Sequence, residues 1–270
     1  MIAFPNCKIN LGLNILAKRE DGFHDIETVF YPVNFTDALE ITASDTETSL
    51  QVTGLELNSD HINSCTKAYQ LLKSIFPQLP PVNIHLHKAI PSGAGLGGGS
   101  ADASATLQLL DAKFDLQLSQ QQLADYALAL GSDCPFFILN RPCIATGRGE
   151  ILKEVTVDLT GYKIFLVNPG IHINTADAFS KIIRAVPHKK INEIIIQPVS
   201  TWQNELTNDF EAPLFSLYPQ LSEIKNDLYK QGATYAAMSG SGSTIYGIFK
   251  KEKTIIAGNK NYFYKTINDL

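Results

Sequence analysis

The stretch Pro91-Ser92-Gly93-Ala94-Gly95-Leu96-Gly97-Gly98-Gly99-Ser100-Ala101 places five glycines within seven positions, directly before a run typical of a helix, Ala101 to Leu110. Glycine adopts positive φ angles and lets the backbone approach a ligand closely. Successive backbone amides followed by the positive end of a helix form an anion-binding site. We therefore predict that this loop binds a phosphate group, and we expect that phosphate to be part of a nucleotide.

Other interpretations of the glycine-rich loop fit less well. A flexible linker would be bordered by more serine, proline and charge, whereas this loop follows the alternating run Val82 to Leu86 and precedes an apolar helix. The glycines also match the dinucleotide-binding pattern, but the segment Gln117 to Gln122, where that fingerprint needs an acidic residue, has no carboxylate. A Walker loop would have Lys-Ser or Lys-Thr after the glycines. The loop therefore belongs to neither of the two commonest phosphate-binding classes.

Composition limits the class of protein. The 270 residues are 44% hydrophobic and 18% charged, with a net charge of −5, which indicates a globular chain without a basic face for nucleic acid. No run approaches the roughly 18 apolar residues of a membrane span. The N-terminus has Lys8 inside its first apolar run, unlike a signal peptide. We expect a cytoplasmic protein that binds neither nucleic acid nor membrane.

The cysteines give no sign of a metal or redox site. Cys7, Cys65, Cys134 and Cys143 form no C-x-x-C pair. We therefore expect small, buried, reduced thiols.

Strand and helix patterns alternate along the chain. Period-two alternation predicts a strand from Lys8 to Leu16, and Ser119 with Gln122 forms a capping box that opens a helix through Leu130. Further strands are expected at 38–42, 49–52, 82–86, 150–157, 162–167, 233–238 and 244–249, and further helices at 60–73, 174–184 and 220–229. Residues Asn58 to Asp60 offer capping chemistry for the first of these helices. The expected domains are residues 1–157 and 158–270.

Three other stretches contain candidate catalytic or binding residues. Lys8 begins an apolar strand, although a lone lysine there is more typical of an exposed strand end. Asp133 follows a helix and precedes Pro135 and two aromatics. A carboxylate at such a position has either a structural role, in a turn or as a helix cap, or a catalytic role. The segment Ser239 to Ser243 alternates serine and glycine, and is either a turn between strands or a second set of amides facing an anion.

Together these pieces suffice for phosphoryl transfer to an alcohol. The loop would hold a nucleoside triphosphate, with magnesium offsetting charge on the β and γ oxygens. Asp133 would take the proton of the acceptor hydroxyl. Lys8 would stabilise negative charge and keep the aspartate ionised, since an opposite charge nearby lowers the pKa of a carboxyl.

The chain resembles a known family, the GHMP kinases, over residues 6 to 249. The resemblance rests on Lys8-Ile9-Asn10-Leu11, Arg19-Glu20-Asp21-Gly22-Phe23-His24, the triple-glycine loop, Gly131-Ser132-Asp133-Cys134-Pro135-Phe136-Phe137 and the 239–243 loop. Within the GHMP kinases these motifs are most similar to the branch acting on 4-diphosphocytidyl-2-C-methyl-D-erythritol, in the non-mevalonate route to isoprenoids. The triple glycine separates this branch from relatives with serines there.

The resemblance implies a fold. It is an α+β, two-domain architecture, with a ribosomal-protein-S5-like N-terminal α/β domain and a ferredoxin-like C-terminal α+β domain. The active site is expected in the cleft between them. A monomer or weak homodimer is expected.

The resemblance also implies an activity and its residues. ATP, with Mg²⁺, would phosphorylate the 2-hydroxyl of the cytidyl substrate, with Lys8 and Asp133 as the catalytic pair. The loop Pro91, Ser92, Gly93, Ala94, Gly95, Leu96, Gly97, Gly98, Gly99, Ser100 and Ala101 would bind ATP. The implied substrate-binding residues are Asn10 near the diol, Phe23 and Phe179 around the cytosine, His24 at its edge, and Ser239, Gly240, Ser241 and Gly242. No second carboxylate stands at a matching position, so the magnesium ligands are not identified beyond phosphates, Ser100 and water.

Some features depart from the family pattern, and two alternatives stay open. Phe23 stands where tyrosine is common, which keeps the ring face for stacking but removes a hydroxyl. A GHMP kinase acting on homoserine or mevalonate is the main alternative. The pair Phe23-His24 argues against it, because those acceptors carry no base to stack. A silent nucleotide-binding module is the other alternative, and the presence of both Lys8 and Asp133 argues against it.

Overall fold

The computed structural model describes residues 1–56, 62–182 and 189–268. Its backbone contacts divide the chain into two compact units built from interleaved segments. The first unit contains Met1–Cys7, Phe35–Ser92 and Gly97–Arg141, and the second contains Lys8–Asn34, Gly93–Leu96 and Pro142–Leu270. The division into residues 1–157 and 158–270 stays a prediction.

Helices and strands occur in both units, and this mixed content confirms the expected α+β class. The strands are β1 (Ile2–Ala3), β2 (Asn6–Lys18), β3 (His24–Thr36), β4 (Ala38–Ala43), β5 (Ser49–Gly54), β6 (Val82–Lys88), β7 (Cys143–Thr146), β8 (Ile151–Glu154), β9 (Tyr162–Asn168), β10 (Tyr235–Met238), β11 (Ile245–Lys250) and β12 (Phe263–Ile267). The helices are α1 (Ser64–Ile75), α2 (Gly98–Phe114), α3 (Gln120–Leu130), α4 (Cys134–Leu139), α5 (Thr175–Ser180), α6 (Ile191–Ile195), α7 (Trp202–Glu205), α8 (Glu211–Leu217) and α9 (Pro219–Lys230).

The first unit packs α1 to α4 on a sheet of order β1–β4–β6–β5. Strand β6 shows the expected alternation: Val82, Ile84 and Leu86 are buried, and the polar residue after each of them is exposed. Helix α2 is buried on several sides because small residues such as Ala103 and Ala105 let neighbouring elements approach closely. Leu72 of α1 and Leu107 of α2 belong to the same buried cluster as the inward face of β6.

A buried ion cluster lies at the end of β6. The Lys88 ammonium pairs with the carboxylates of Asp37 and Asp102, the latter at 2.7 Å, and all three side chains are at least 97% buried. Asp37 also accepts the backbone N–H groups of Ala89 and Ile90, at 2.6 and 2.9 Å. The cluster therefore joins the chain entering the glycine-rich loop to the first turns of α2.

The cluster carries two carboxylates for one cation, and its pKa values reflect this. Burial raises the pKa of the Asp102 carboxyl to about 7: the attraction of Lys88 offsets only part of the desolvation, and the charge of Asp37 adds to the shift. Burial alone would lower the pKa of Lys88, but the attraction of Asp102 and Asp37 outweighs it and raises that pKa.

The second unit contains two sheets, of order β2–β3–β7–β8 and β10–β11–β9–β12. Strand β9 pairs antiparallel with both β11 and β12. Side chains of β9, β11 and α9, including Phe165, Phe249 and Leu228, form one buried cluster with Leu13 and Ile15 of β2. This cluster supports the inner face of β2, the strand that begins with the Lys8 motif.

Most of the expected elements are confirmed, among them the Lys8 strand and the capping box at Ser119 and Gln122. Helix α1 begins at Ser64, capped by Asn63, while the caps expected at Asn58 to Asp60 lie outside the described residues. Helix α2 begins at Gly98, three residues before the expected start, because the glycines themselves form its first turn.

One expected element of the second unit needs correction, and one strand was not expected. The helix expected at 174–184 is shorter: α5 begins after its cap Asn174 and ends at Ser180, and residue 184 lies outside the described residues. No strand was expected after residue 249, yet the chain there contains β12, because pairing with β9 can order a strand that has mixed residues.

Two further observations concern the whole described chain. All four cysteines are buried and free, as expected. Within residues 1–56, 62–182 and 189–268, none of the helices has both the length and the apolar character needed to span a bilayer.

The raised pKa of Asp102 predicts a pH-dependent effect of Asp102→Asn on stability. A carboxyl with a folded pKa of about 7 and an unfolded pKa of about 3.9 stabilises the fold below pH 4, and this contribution is lost as the pH rises to 7. The free energy of unfolding of the wild type minus that of Asp102→Asn should therefore decrease between pH 4 and 7, by at most about 1.4 kcal/mol per pH unit. Urea unfolding at a series of pH values measures this difference.

The matched control is Asp125→Asn, which changes an exposed carboxylate of the same unit. The difference measured for Asp102→Asn is compared with the difference measured for this control at each pH. A difference for Asp102→Asn that stays constant, or that grows as the pH rises, would contradict the assignment of the raised pKa.

Candidate active site

The glycine-rich loop has backbone that only glycine can supply at its centre. Gly95 has a φ of +76°, and a Cβ placed on it would lie 2.0 Å from the carbonyl oxygen of Ser239. Gly97 precedes α2 in the left-handed conformation, and no side chain in the described part of the chain caps this 17-residue helix at that position. The amides of its first turn are therefore available to a ligand, as an anion site requires.

Strand β2 stands at the edge of its sheet, and its open edge is bound by loops rather than by another strand. The Lys8 N–H donates to the Leu96 carbonyl at 2.9 Å, and the Asn10 N–H donates to the Ser239 hydroxyl at 3.2 Å. Further along, Leu13 exchanges backbone bonds with Thr207 and Asp209. Successive N–H groups of a strand point to opposite edges of the sheet. The N–H groups of residues 8, 10 and 13 all point to the open edge, so the alternation must be interrupted between residues 10 and 13. Gly12, with a φ of +69°, lies between them.

The Ser239–Ser243 loop is tied to both the glycine-rich loop and β2. The Ser239 hydroxyl donates to the Gly95 carbonyl at 2.8 Å while it accepts the Asn10 N–H. The amide of Asn208 donates to the carbonyls of Met238 and Gly240, at 2.8 and 2.9 Å. Ser241 is only partly buried, and its hydroxyl contacts that of Thr175 at 3.1 Å. Ser239 is thus committed to the backbone, whereas Ser241 is the more accessible of the two hydroxyls.

Lys8 is a buried lysine, not a surface one. It is only 3% exposed, its ammonium donates to Asn10 Oδ1 at 2.6 Å, and it lies 4.8 Å from the centre of the Phe30 ring. Burying an ammonium is costly unless polar groups surround it, so a lysine kept here needs partners. This finding removes the alternative of a lysine exposed at a strand end.

Asp133 precedes α4, but its carboxylate does not cap that helix. The residue is partly buried. Ser104 of α2 donates to the Cys134 carbonyl at 2.8 Å, so the start of α4 is attached to the same helix that follows the glycine-rich loop. The first unit therefore fixes the start of α4 against α2, and Asp133 lies in the turn before α4, where the Cys134 N–H donates to the Gly131 carbonyl at 3.1 Å. The capping alternative is removed, whereas the turn alternative stands.

The expected cytosine site contains aromatic rings in a different arrangement from the one anticipated. The rings of His24 and Phe179 stack on each other, with centroids 4.6 Å apart and planes 12° apart. Phe23 is 49% exposed, and the guanidinium of Arg148 lies over its ring at 4.6 Å. A cavity of about 200 Å³ is lined by Ile15, Lys18, His24, Phe179, Ser180 and Ile182. The structure thus brings His24 and Phe179 together and pairs Phe23 with a residue that the sequence did not single out.

Several buried polar residues near these motifs were missed at the sequence level. Thr28 bonds to Asn10, Asn208 holds the Ser-Gly loop, and Lys88 with its two aspartates precedes the glycine-rich loop. Of these residues only Lys88 could have been found from the sequence, because it takes an inward position of an alternating strand.

In the described residues no group of three or more histidine, cysteine or acidic side chains could hold a metal ion.

Comparison with known proteins gives a consistent result. The family models "GHMP kinases N terminal domain" and "GHMP kinases C terminal" match residues 63–141 and 194–264. A 4-diphosphocytidyl-2-C-methyl-D-erythritol kinase of Bacteroides fragilis is 52% identical over 94% of both chains, and one of Cytophaga hutchinsonii is 49% identical over 92% of both.

Solved structures agree with this. A crystal structure of 4-(cytidine 5'-diphospho)-2C-methyl-D-erythritol kinase is 31% identical, with a TM-score of 0.76 over 92% of this chain and 89% of that one. A Methanococcus jannaschii mevalonate kinase, 15% identical, has a TM-score of 0.70 over 94% and 92% of the two chains and shows a shared fold. The chain therefore belongs to the 4-diphosphocytidyl-2-C-methyl-D-erythritol kinase family of the GHMP kinases.

Proposed function

We propose that the chain transfers the terminal phosphoryl group of ATP to the 2-hydroxyl of 4-diphosphocytidyl-2-C-methyl-D-erythritol, giving the 2-phosphate and ADP in isoprenoid precursor synthesis. The observation that carries the proposal is the uncapped amide terminus of α2, which ends the glycine-rich loop and lies in the same unit as an aspartate that does not cap its own helix. The names of relatives about 50% identical support the choice of acceptor.

ATP would lie along residues 91–101, with phosphate oxygens accepting from the first amides of α2. The residues present fit such a group, because a Cβ at Gly95 would clash with neighbouring backbone and no side chain among the described residues caps Gly97. Mg²⁺, held by phosphate oxygens, Ser100 and water, would offset negative charge on the transferring phosphate.

Asp133 is proposed as the general base that accepts the proton of the acceptor hydroxyl. Its support is the geometry of the first unit, in which Ser104 attaches the start of α4 to α2. Lys8 is proposed to stabilise negative charge during transfer. Its support is its burial with an ammonium aimed by Asn10, since a preorganised cation is most effective where water is excluded.

The cytidyl part of the substrate is proposed to bind at Phe23, His24 and Phe179. A base inserted between two rings needs them about 7 Å apart, twice a van der Waals contact, so the His24–Phe179 stack at 4.6 Å would have to open. Asn10 beside the diol, and Ser239, Gly240, Ser241 and Gly242 around the acceptor, complete the proposed substrate set. The cytidyl acceptor is favoured over homoserine or mevalonate, because kinases of those types match at about 15% identity, which supports the fold alone.

Four further properties are proposals of the same kind. The chain is proposed to act in the cytoplasm, as a monomer or weak homodimer, without nucleic acid. Its domains are proposed to be residues 1–157 and 158–270.

An acceptor panel tests the proposed function. ADP release is followed with ATP and, side by side, the cytidyl sugar alcohol, homoserine and mevalonate. We expect turnover with the cytidyl acceptor alone, because only that acceptor offers a base to the aromatic residues. Turnover with homoserine or mevalonate instead would establish the alternative, and no turnover with any of them would favour a silent nucleotide-binding module.

Asp133→Asn serves as the matched control in this panel. It should lower kcat by about 10²–10⁴-fold, the usual scale for a general base, and leave the KM for ATP nearly unchanged. A near-normal rate would remove Asp133 from that role without affecting the choice of acceptor.

Phe23→Ala tests the aromatic site. Loss of one base–ring stack should weaken binding of the cytidyl substrate by about 1–3 kcal/mol, with no effect on the KM for ATP, whereas Phe23→Tyr should bind normally. Phe4→Ala changes another exposed phenylalanine ring, in the other unit, and is the control. Steady-state kinetics with each substrate varied measures the effect, and an equal rise in both KM values would place Phe23 outside the cytidyl site.

A further inference from the structure

Thr28 lies on β3, is completely buried, and has no part in the functions described so far. Its hydroxyl lies 2.5 Å from the carbonyl oxygen of Gly12 and 3.0 Å from the amide nitrogen of Asn10. Asn10 Oδ1 in turn lies 2.6 Å from the ammonium of Lys8. A continuous path of buried hydrogen bonds therefore runs from a backbone carbonyl of β2 to the proposed charge-stabilising lysine.

The number of hydrogens on each group fixes which atom donates and which accepts at every hydrogen bond of this path. A threonine hydroxyl has a single hydrogen, and a carbonyl oxygen can only accept, so the hydrogen of Thr28 goes to Gly12. The hydroxyl can then only accept from Asn10, which must present its NH₂ group to Thr28. The amide oxygen is thereby turned toward Lys8, whose ammonium can only donate. With the amide reversed, NH₂ would face the ammonium and the oxygen would face a hydroxyl whose hydrogen is already used.

The direction matters because lysine is otherwise a flexible side chain. Four rotatable bonds separate its ammonium from the backbone, and a short bond to a fixed acceptor removes much of that freedom. Phe30 lies on one side of the ammonium, 4.8 Å from it, and Asn10 Oδ1 is a fixed acceptor that holds it by a short hydrogen bond of 2.6 Å.

We propose that Thr28 is a positioning residue for phosphoryl transfer: it orients the amide of Asn10, which in turn holds the ammonium of Lys8 where negative charge develops. This inference rests on the proposed function of Lys8. It assigns to Asn10 a role toward Lys8 in addition to its proposed place beside the diol.

The test compares Thr28→Val, which keeps the shape and removes the hydroxyl, with Thr28→Ser, which keeps the hydroxyl. Thr28→Val should lower kcat by about tenfold, equivalent to about 1.4 kcal/mol of transition-state stabilisation, with both KM values within about twofold of the wild type. Thr28→Ser should retain most of the wild-type kcat. A wild-type kcat for Thr28→Val would overturn the proposal.

A double-mutant cycle separates positioning from a general effect on folding. Once Lys8 is replaced in Lys8→Met, the amide of Asn10 has no ammonium to aim, so adding Thr28→Val should change kcat by less than about twofold. If Thr28→Val lowers kcat by the same factor in both backgrounds, its role is merely structural and the proposal is wrong.

A readout without turnover keeps this inference distinct from the proposed function. Hydrogen exchange of the Asn10 side-chain NH₂, followed by NMR, should be slow in the wild type and in Thr28→Ser, and faster in Thr28→Val. Slow exchange in all three proteins would overturn the path from Thr28 to Asn10. If the wild type shows the expected exchange but phosphorylates no acceptor, the proposed function fails while the orientation of Asn10 by Thr28 stands.

Discussion

The second unit depends on one constraint: β2 is an edge strand whose open edge must be satisfied without another strand. Unpaired edge N–H and C=O groups are costly when buried and invite aggregation when exposed. Here Leu96 accepts the Lys8 amide, the Ser239 hydroxyl accepts the Asn10 amide, and the Tyr246 hydroxyl donates to the Asn10 carbonyl. The same bonds that complete the strand therefore fix part of the glycine-rich loop and the Ser-Gly loop against it.

This arrangement explains why so many buried polar groups lie along one strand. Lys8, Asn10 and Thr28 would each be costly in an apolar interior, and together they satisfy one another. In the first unit, the cluster of Lys88 with Asp37 and Asp102 is built on the same principle and joins the chain entering the loop to α2. Both networks place polar groups at fixed positions in a water-poor interior, as electrostatic catalysis requires.

Features that depend on a few consecutive residues could be predicted from the sequence. The glycine-rich loop, the capping box at Ser119 and the alternation of β6 are properties of a few consecutive residues, and all three appear in the structure. The motifs also sufficed to name the family. Asp133 and Lys8 could be selected, but their burial could not, because burial depends on residues far away in sequence.

What escaped prediction is long-range. Thr28 looks like any threonine in a strand, and its partner Gly12 is 16 positions away. The cluster joins Lys88 to Asp37 across 51 positions. Strand β12 is ordered by β9, and the stacking of His24 on Phe179 depends on how the chain returns to β3. None of these pairs leaves a periodic or motif-like trace.

Backbone amide exchange at Asn10, compared between the wild type and Ser239→Ala, tests whether the Ser239 hydroxyl completes the open edge of β2. We expect a protected Asn10 amide in the wild type and exchange at least about tenfold faster once the hydroxyl acceptor is gone, since opening then costs less free energy. Ser241→Ala, in the same loop but bonded to Thr175, should leave that amide unchanged. An Asn10 amide that exchanges equally slowly in Ser239→Ala would contradict the claim that the two loops complete the edge of β2.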